Sequence, residues 1–341
     1  RKNVRREITT DESGISTVTL GVSGPGNYAV NSTFDIETRS AFLPISKMTT
    51  TAMAAGEELV VDADMLQGFD PGSVDVNVSF TRTPGLDPTA YATAVTRYPY
   101  GCSEQTVSAA MPLLYAHELG KVPGISEHEA KFALQVAVDR LLNRQSSDGS
   151  FGMWRANDRY AQPFIGVYIT DFLFRAKDKD YVVSQSALDK ALKGLHSITK
   201  MPKYPSLNYL NRYEVDTIER RLSRQAEAAA YAHYVLAKNG EGKLKDMRYF
   251  ADNHTKKLRS ALSYGHLGAA LSMMGDDRRA DQAFRKALAL VDKNVSYDYY
   301  QSPTRDASGL LALIKETEQN QYLEEANIAF QKHLKEPNRL N

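Results

Sequence analysis

The chain has 341 residues, 42% of them hydrophobic and 24% charged, with a formal net charge of +1. That size suits two or three globular domains, and the near-neutral balance gives no reason to expect nucleic acid or an anionic membrane surface as partner. No apolar run approaches the about 20 residues of a membrane helix, and a single cysteine excludes an internal disulfide and a cysteine-cluster metal site.

The opening Arg1-Lys2-Asn3-Val4-Arg5-Arg6 run is basic and reads as a solvated chain end. There is no initiator Met and no signal-peptide pattern, so the chain is expected to be a piece of something longer. The first part reads as β. Ile15, Val18, Leu20 and Val22 sit among Thr, Ser and Gly, and Tyr28, Val30 and Ile36 follow the Gly24-Pro25-Gly26 turn signal. Leu59, Val60 and Val61 predict another short strand. Val74, Val76, Val78 and Phe80 alternate with Ser73, Asp75, Asn77 and Ser79, which predicts a half-buried strand. Pro84, Gly85 and Pro88 then break the pattern.

From about Tyr91 the period becomes helical. Ser126 followed by Glu129 fits a capping box, and Phe132, Leu134, Ala137, Val138, Leu141 and Leu142 repeat at helical spacing. Further helices are predicted at 184–196, 224–238, 256–274, 278–292, 305–317 and 320–334. The stripe Ala280, Ala283, Phe284, Ala287, Leu288, Val291 is the clearest of them. Asp148-Gly149-Ser150 and Asn239-Gly240 carry the turns. A β segment followed by paired helices argues for separate all-β and all-α domains. Paired helices stack into solenoids or closed toroids, because one pair cannot bury its apolar face alone.

At the junction the sequence reads Tyr98-Pro99-Tyr100-Gly101-Cys102-Ser103-Glu104-Gln105-Thr106. Gly-Cys-x-Glu-Gln resembles the thioester signature of the alpha-2-macroglobulin and complement family, and the longer string resembles its bacterial branch. The likeness extends to Gly149-Ser150-Phe151-Gly152-Met153-Trp154, to the segment 297–313, and to the β region before the motif. It implies a mainly α fold: an α/α toroid thioester domain over 91–341. Before it would come the end of a macroglobulin-like β domain over 1–40 and part of a CUB-like β domain over 41–90.

The resemblance implies a covalent, single-turnover protease trap rather than an enzyme. Cys102 sulfur would attack the Gln105 side-chain carbonyl, expel ammonia and leave an acyl thioester. Gly101 would allow close backbone approach and any positive φ the turn needs. If Glu104 and Gln105 open a helix, its N-terminal amides would stabilise developing negative charge. Tyr98 and Tyr100 are the candidate shields against water. Phe151 and Trp154 are expected mainly in the helical core.

The implied partners are target proteases, captured through lysine, and small amines such as methylamine; for the parent protein, a peptidoglycan synthase is a further implied partner. The implied location is the periplasm, with a lipid anchor in the inner membrane. No cofactor and no metal is expected. His117, His196, His233, His254, His266 and His333 share no ligand spacing and are expected on the surface or with satisfied rings. Some complement members carry a His that redirects the acyl group to hydroxyls. The matching stretch here, Tyr213-Glu214-Val215-Asp216-Thr217-Ile218, holds none, which predicts direct attack by amines. Three rivals remain: a thioester adhesin coupling to host-surface amines, a helical-array interaction module with an inert cysteine, and a toroid glycosidase or terpene-cyclase relative. The last would need paired carboxylates at its mouth.

Overall fold

The computed structural model describes residues 5–9, 14–38, 51–69, 101–119, 126–158, 162–201, 218–293 and 302–334, with single positions between 45 and 80. The chain divides into two compact units, Arg1–Phe80 and Thr81–Asn341.

In the first unit, β1 (Gly14–Gly24) pairs antiparallel with β2 (Tyr28–Thr38), from Gly14 opposite Thr38 to Gly24 opposite Tyr28. The chain reverses through Gly26 and Asn27, both at positive φ (76° and 61°), the left-handed backbone that hairpin turns require. Period-2 alternation sorts the two faces. Val18, Leu20, Val22, Tyr28, Val30, Phe34 and Ile36 share one face. The other carries Thr17, donating to Asp35 at 2.8 Å, and the Thr19–Thr33 pair.

The strand expected at Leu59, Val60 and Val61 is not present; these residues are exposed coil, followed by a 3-10 turn at Ala63–Leu66 capped by Asp62. At the described positions of the alternating stretch, Val74, Val76, Val78 and Phe80, there is likewise no strand, and Val76, Val78 and Phe80 are exposed. Alternation supplies a face but not a partner, and among the described residues the sheet contains β1 and β2 alone.

The second unit is helical: α1 (Ser103–Leu119), α2 (Glu127–Leu142), α3 (Pro163–Asp178), α4 (Gln185–Ile198), α5 (Ile218–Lys238), α6 (Leu244–Asn253), α7 (Ala261–Met273), α8 (Asp277–Val291), α9 (Pro303–Glu316) and α10 (Leu323–Leu334). The Ser126 capping box forms as expected: Ser126 Oγ accepts from the Glu129 N–H, and the Ser126 N–H donates to Glu129 Oε2. Neighbouring odd-numbered helices pack on one another in succession, α1 on α3, α3 on α5, α5 on α7, α7 on α9. The even-numbered helices flank this row.

Sequence explains the two roles. Both α5 and α7 are buried all round over 226–236 and 261–271, which suits a helix surrounded by protein. By contrast α8 buries only the stripe Ala280, Ala283, Phe284, Ala287, Leu288, Val291 and shows charge on its other side. Small residues let the inner row pack closely: a Cβ at Gly265 of α7 would lie 3.1 Å from Leu310 Cδ1 of α9.

A polar network crosses the inner row. Asp171 on α3 accepts from Arg175 Nε at 2.8 Å and from the Tyr231 hydroxyl at 2.7 Å. Arg175 also reaches the hydroxyls of Tyr115 and Tyr234, and Tyr234 donates to Glu316 at 2.5 Å. Every member thus has a partner, as buried polar groups require.

His233, His266 and His333 are buried, and two of them differ from expectation in leaving a ring nitrogen unpartnered among the described residues, His233 at Nε2 and His333 at Nδ1. Burial pushes the His233 ring down to about 4. His266 lies flat against Tyr231, with ring centroids 4.2 Å apart, and burial holds it well below the usual histidine range.

Candidate functional site: a cysteine and a glutamine in a helix cap

Cys102 immediately precedes α1. Its carbonyl accepts from the Thr106 N–H at 2.9 Å, the first bond of the helix, which makes Cys102 the N-cap residue. Two further bonds close a reciprocal pair. The Gln105 N–H donates to Cys102 Sγ at 3.5 Å, and the Cys102 N–H donates to Gln105 Oε1 at 3.3 Å. This is the pattern of a capping box, Ser/Thr-x-x-Glu/Gln, with sulfur in place of the hydroxyl. Cys102-Ser103-Glu104-Gln105 therefore sets each of the two side chains against the other residue's backbone N–H within one helix cap.

The cap suits acyl chemistry. Sulfur sits at the N-terminus of a 17-residue helix and receives an amide proton, both favourable to negative charge there. The carboxamide oxygen already accepts an amide proton, so charge developing on it is met by a fixed donor. Cys102 is 7% exposed.

The surroundings hold the cap in place. Ser103 is fully buried; its N–H donates to the Met153 carbonyl at 2.8 Å and its Oγ to the Gly152 carbonyl at 2.6 Å. Those carbonyls come from the loop after α2, which folds back on itself. Gln145 and Phe151 form an isolated bridge, and the Gly152 N–H donates to the Arg144 carbonyl at 3.0 Å. Asp148 Oδ1 accepts from the Ser150 N–H and hydroxyl and fixes the tip. Gly149 there has φ +87°, and a Cβ on it would meet the Lys190 carbonyl oxygen at 1.8 Å. Phe151 is buried, as expected. Trp154 is not in the core: it is 58% exposed, because the loop turns outward after Met153.

Arg144 ties the two segments together. Its guanidinium donates to the Gly101 carbonyl at 2.5 Å, to Ser103 Oγ at 3.2 Å and to the Met153 carbonyl at 3.4 Å. Burial lowers its proton affinity first and repulsion from Arg140 second, while the nearby Cys102 acts in the opposite direction.

Of the residues singled out from sequence, Gly101, Cys102, Glu104 and Gln105 come together here. Gly101 does not use a positive φ; a Cβ on it would lie 3.0 Å from an Arg140 guanidinium nitrogen, the mobile end of a long side chain. Glu104 accepts from the Ser108 hydroxyl at 2.9 Å. Tyr98 and Tyr100 lie outside the described residues, as does the stretch 213–217. Ser103 and Arg144 were not singled out from sequence. Nothing in their local pattern marks them, because their partners lie 49 and 43 residues away.

No protein-family model matches the chain. The alpha-2-macroglobulin of Escherichia coli (strain K12) is 28% identical over 306 residues, covering 87% of this chain. Over most of its length the chain is similar to bacterial alpha-2-macroglobulins. It spans 18% of that relative's length. A structure of Salmonella alpha-2-macroglobulin reacted with methylamine superposes with a TM-score of 0.70 at 26% identity, over 95% of this chain and 21% of that one. Trypsin-activated Escherichia coli alpha-2-macroglobulin superposes with a TM-score of 0.59 at 25% identity, over 94% of this chain and 22% of that one.

Proposed function

We propose that Cys102 and Gln105 form an internal thioester, and that the parent protein uses it to trap proteases covalently through their lysines. The observation that carries this reading is the reciprocal contact of the pair, with sulfur 3.5 Å from the Gln105 backbone nitrogen and the carboxamide oxygen 3.3 Å from the Cys102 backbone nitrogen. In closure, the Cys102 sulfur bonds to Gln105 Cδ and the C–N bond breaks. Ammonia leaves carrying the thiol proton. In capture, a lysine amine bonds to the same carbon and the C–S bond breaks. The sulfur leaves as a thiolate at the helix N-terminus, and the amine proton passes to it or to water. Each molecule acts once, since the product is an amide. Relatives described with methylamine and with trypsin support amines and proteases as the partner classes.

Within this reading the alternating inner and outer helices belong to an α/α toroid. The apolar face of the β1–β2 hairpin belongs to a macroglobulin-like sandwich, whose second sheet would cover it. The periplasm is the proposed location, with the parent lipid-anchored to the inner membrane. Tyr98 is the proposed shield; Tyr98→Ala should shorten the half-life of the thioester.

Intact mass tests the central claim. The chain prepared without amines should be lighter by one ammonia than its sequence. Methylamine should add its own mass and free one thiol. A full-mass chain whose Cys102 alkylates equally before and after methylamine would refute the thioester.

A further inference from the structure

Beside the cap lies a pocket of about 420 Å³, lined by Val136, Asp139, Arg140, Arg144, Trp154 and Arg155 among others. Three guanidiniums share it with a single carboxylate, and Asp139 is already engaged by Gln135 Nε2 at 3.0 Å. Arg144 spends its donors on neutral groups, two backbone carbonyls and a hydroxyl. Among the described residues, Arg140 and Arg155 have no ion-pair or hydrogen-bond partner. Positive charge is therefore in excess here, three guanidiniums against Asp139 in the lining and Asp158, whose carboxylate accepts from the Trp154 backbone N–H at 2.9 Å. The lowered proton affinity of Arg144, caused in part by Arg140, is a sign of that crowding. The pocket adjoins the reacting pair: Arg140 packs against Gly101 and Arg144 holds its carbonyl.

We infer that this pocket binds a carboxylate, and that it directs the thioester toward lysines with an Asp or Glu beside them on the captured protein. The inference rests on the thioester reading for its lysine half, and on the pocket alone for its anion half. Guanidinium forks match carboxylates in shape as well as charge. The exposed Trp154 indole gives the apolar stem of such a side chain a surface to lie on. A carboxylate docked there would hold its neighbouring amine near the acyl carbon, converting a diffusional encounter into a local one.

Two measurements test this. Trp154 is the sole tryptophan, so its emission reports on the pocket with or without a thioester. Glutarate should give a saturable change at low salt, glutaramide none, and the change should vanish in Arg140→Gln/Arg155→Gln. A flat titration, or one that survives the double substitution, overturns the anion site. Second, incorporation of 6-aminohexanoate and of 6-aminohexanamide is followed by intact mass. The carboxylate should react about fivefold faster, the scale of a solvent-accessible ion pair. That ratio should fall toward one in the double variant and at about 1 M salt, where screening acts beyond about 3 Å. A ratio of about one in the unsubstituted chain, with methylamine still incorporated, overturns the guidance of lysines. Absence of any methylamine incorporation is a different failure: it removes the thioester, and the lysine half with it, while the glutarate titration still decides the anion site.

Discussion

The Gln105 side chain reaches back to the N–H of Cys102 while the Gln105 N–H points at the Cys102 sulfur. The helix cap thus contains the proposed thioester pair, and the two roles can be separated by substitution. Cys102→Ser keeps a capping acceptor and should leave thermal stability nearly unchanged while abolishing methylamine incorporation. Cys102→Ala removes the acceptor as well and should cost about 1 kcal/mol. Thermal melts beside intact mass distinguish the two. Equal incorporation by Cys102→Ser and the unsubstituted chain would rule out sulfur as the acyl carrier.

The seat under Ser103 should be as important as the pair. A Cβ at Gly152 would lie 1.8 Å from the Arg155 carbonyl oxygen, a backbone atom that cannot swing away. Gly152→Ala should displace the two carbonyls that hold Ser103 and slow thioester formation several-fold, with folding retained by circular dichroism. Ser103→Ala leaves Arg144 without one of its acceptors and should cost about 1 kcal/mol. If both variants form thioester at the normal rate, the loop is only packing.

Acyl transfer should favour amines. In competition between radiolabelled methylamine and glycerol at matched concentration, label should enter from methylamine. Predominant glycerol incorporation would point to an imidazole brought to the thioester from elsewhere in the fold.

Acid should destabilise the helical unit through its buried histidines. His233 has a folded value of about 4 against an ordinary 6.5, so between these values the unfolded chain binds more protons than the folded one. Its contribution is therefore fully present above about pH 6.5 and is lost as pH falls toward 4, by at most about 3 kcal/mol. His266 acts in the same direction. Urea midpoints across this range should fall with pH, and less steeply in His233→Leu. An unchanged slope would mean that the ring is protonated in the folded protein.

Asp171 is buried between Arg175 and Tyr231, and removing it strands a guanidinium and a phenol among α3, α5 and α9. Asp171→Ala should cost about 3–5 kcal/mol by urea unfolding. Tyr231→Phe, which loses one hydrogen bond and keeps the stacking on His266, should cost about 1 kcal/mol.

Sequence alone determined what depends on neighbours in the chain. The α8 stripe, the Ser126 cap, the Gly24-Pro25-Gly26 reversal and the Cys102–Gln105 pairing all follow from bonds spanning two to four residues, which period and residue type specify. What needed a distant partner was decided by the tertiary structure. Val74 to Phe80 has strand alternation, but pairing requires a second strand that no local pattern supplies. Trp154 looks like a core residue, yet the loop that closes on Ser103 turns it outward. Ser103, Arg144 and Asp171 are ordinary in sequence; each acquires its role from a polar group more than forty residues away, because a buried donor must find its acceptor wherever the fold brings one.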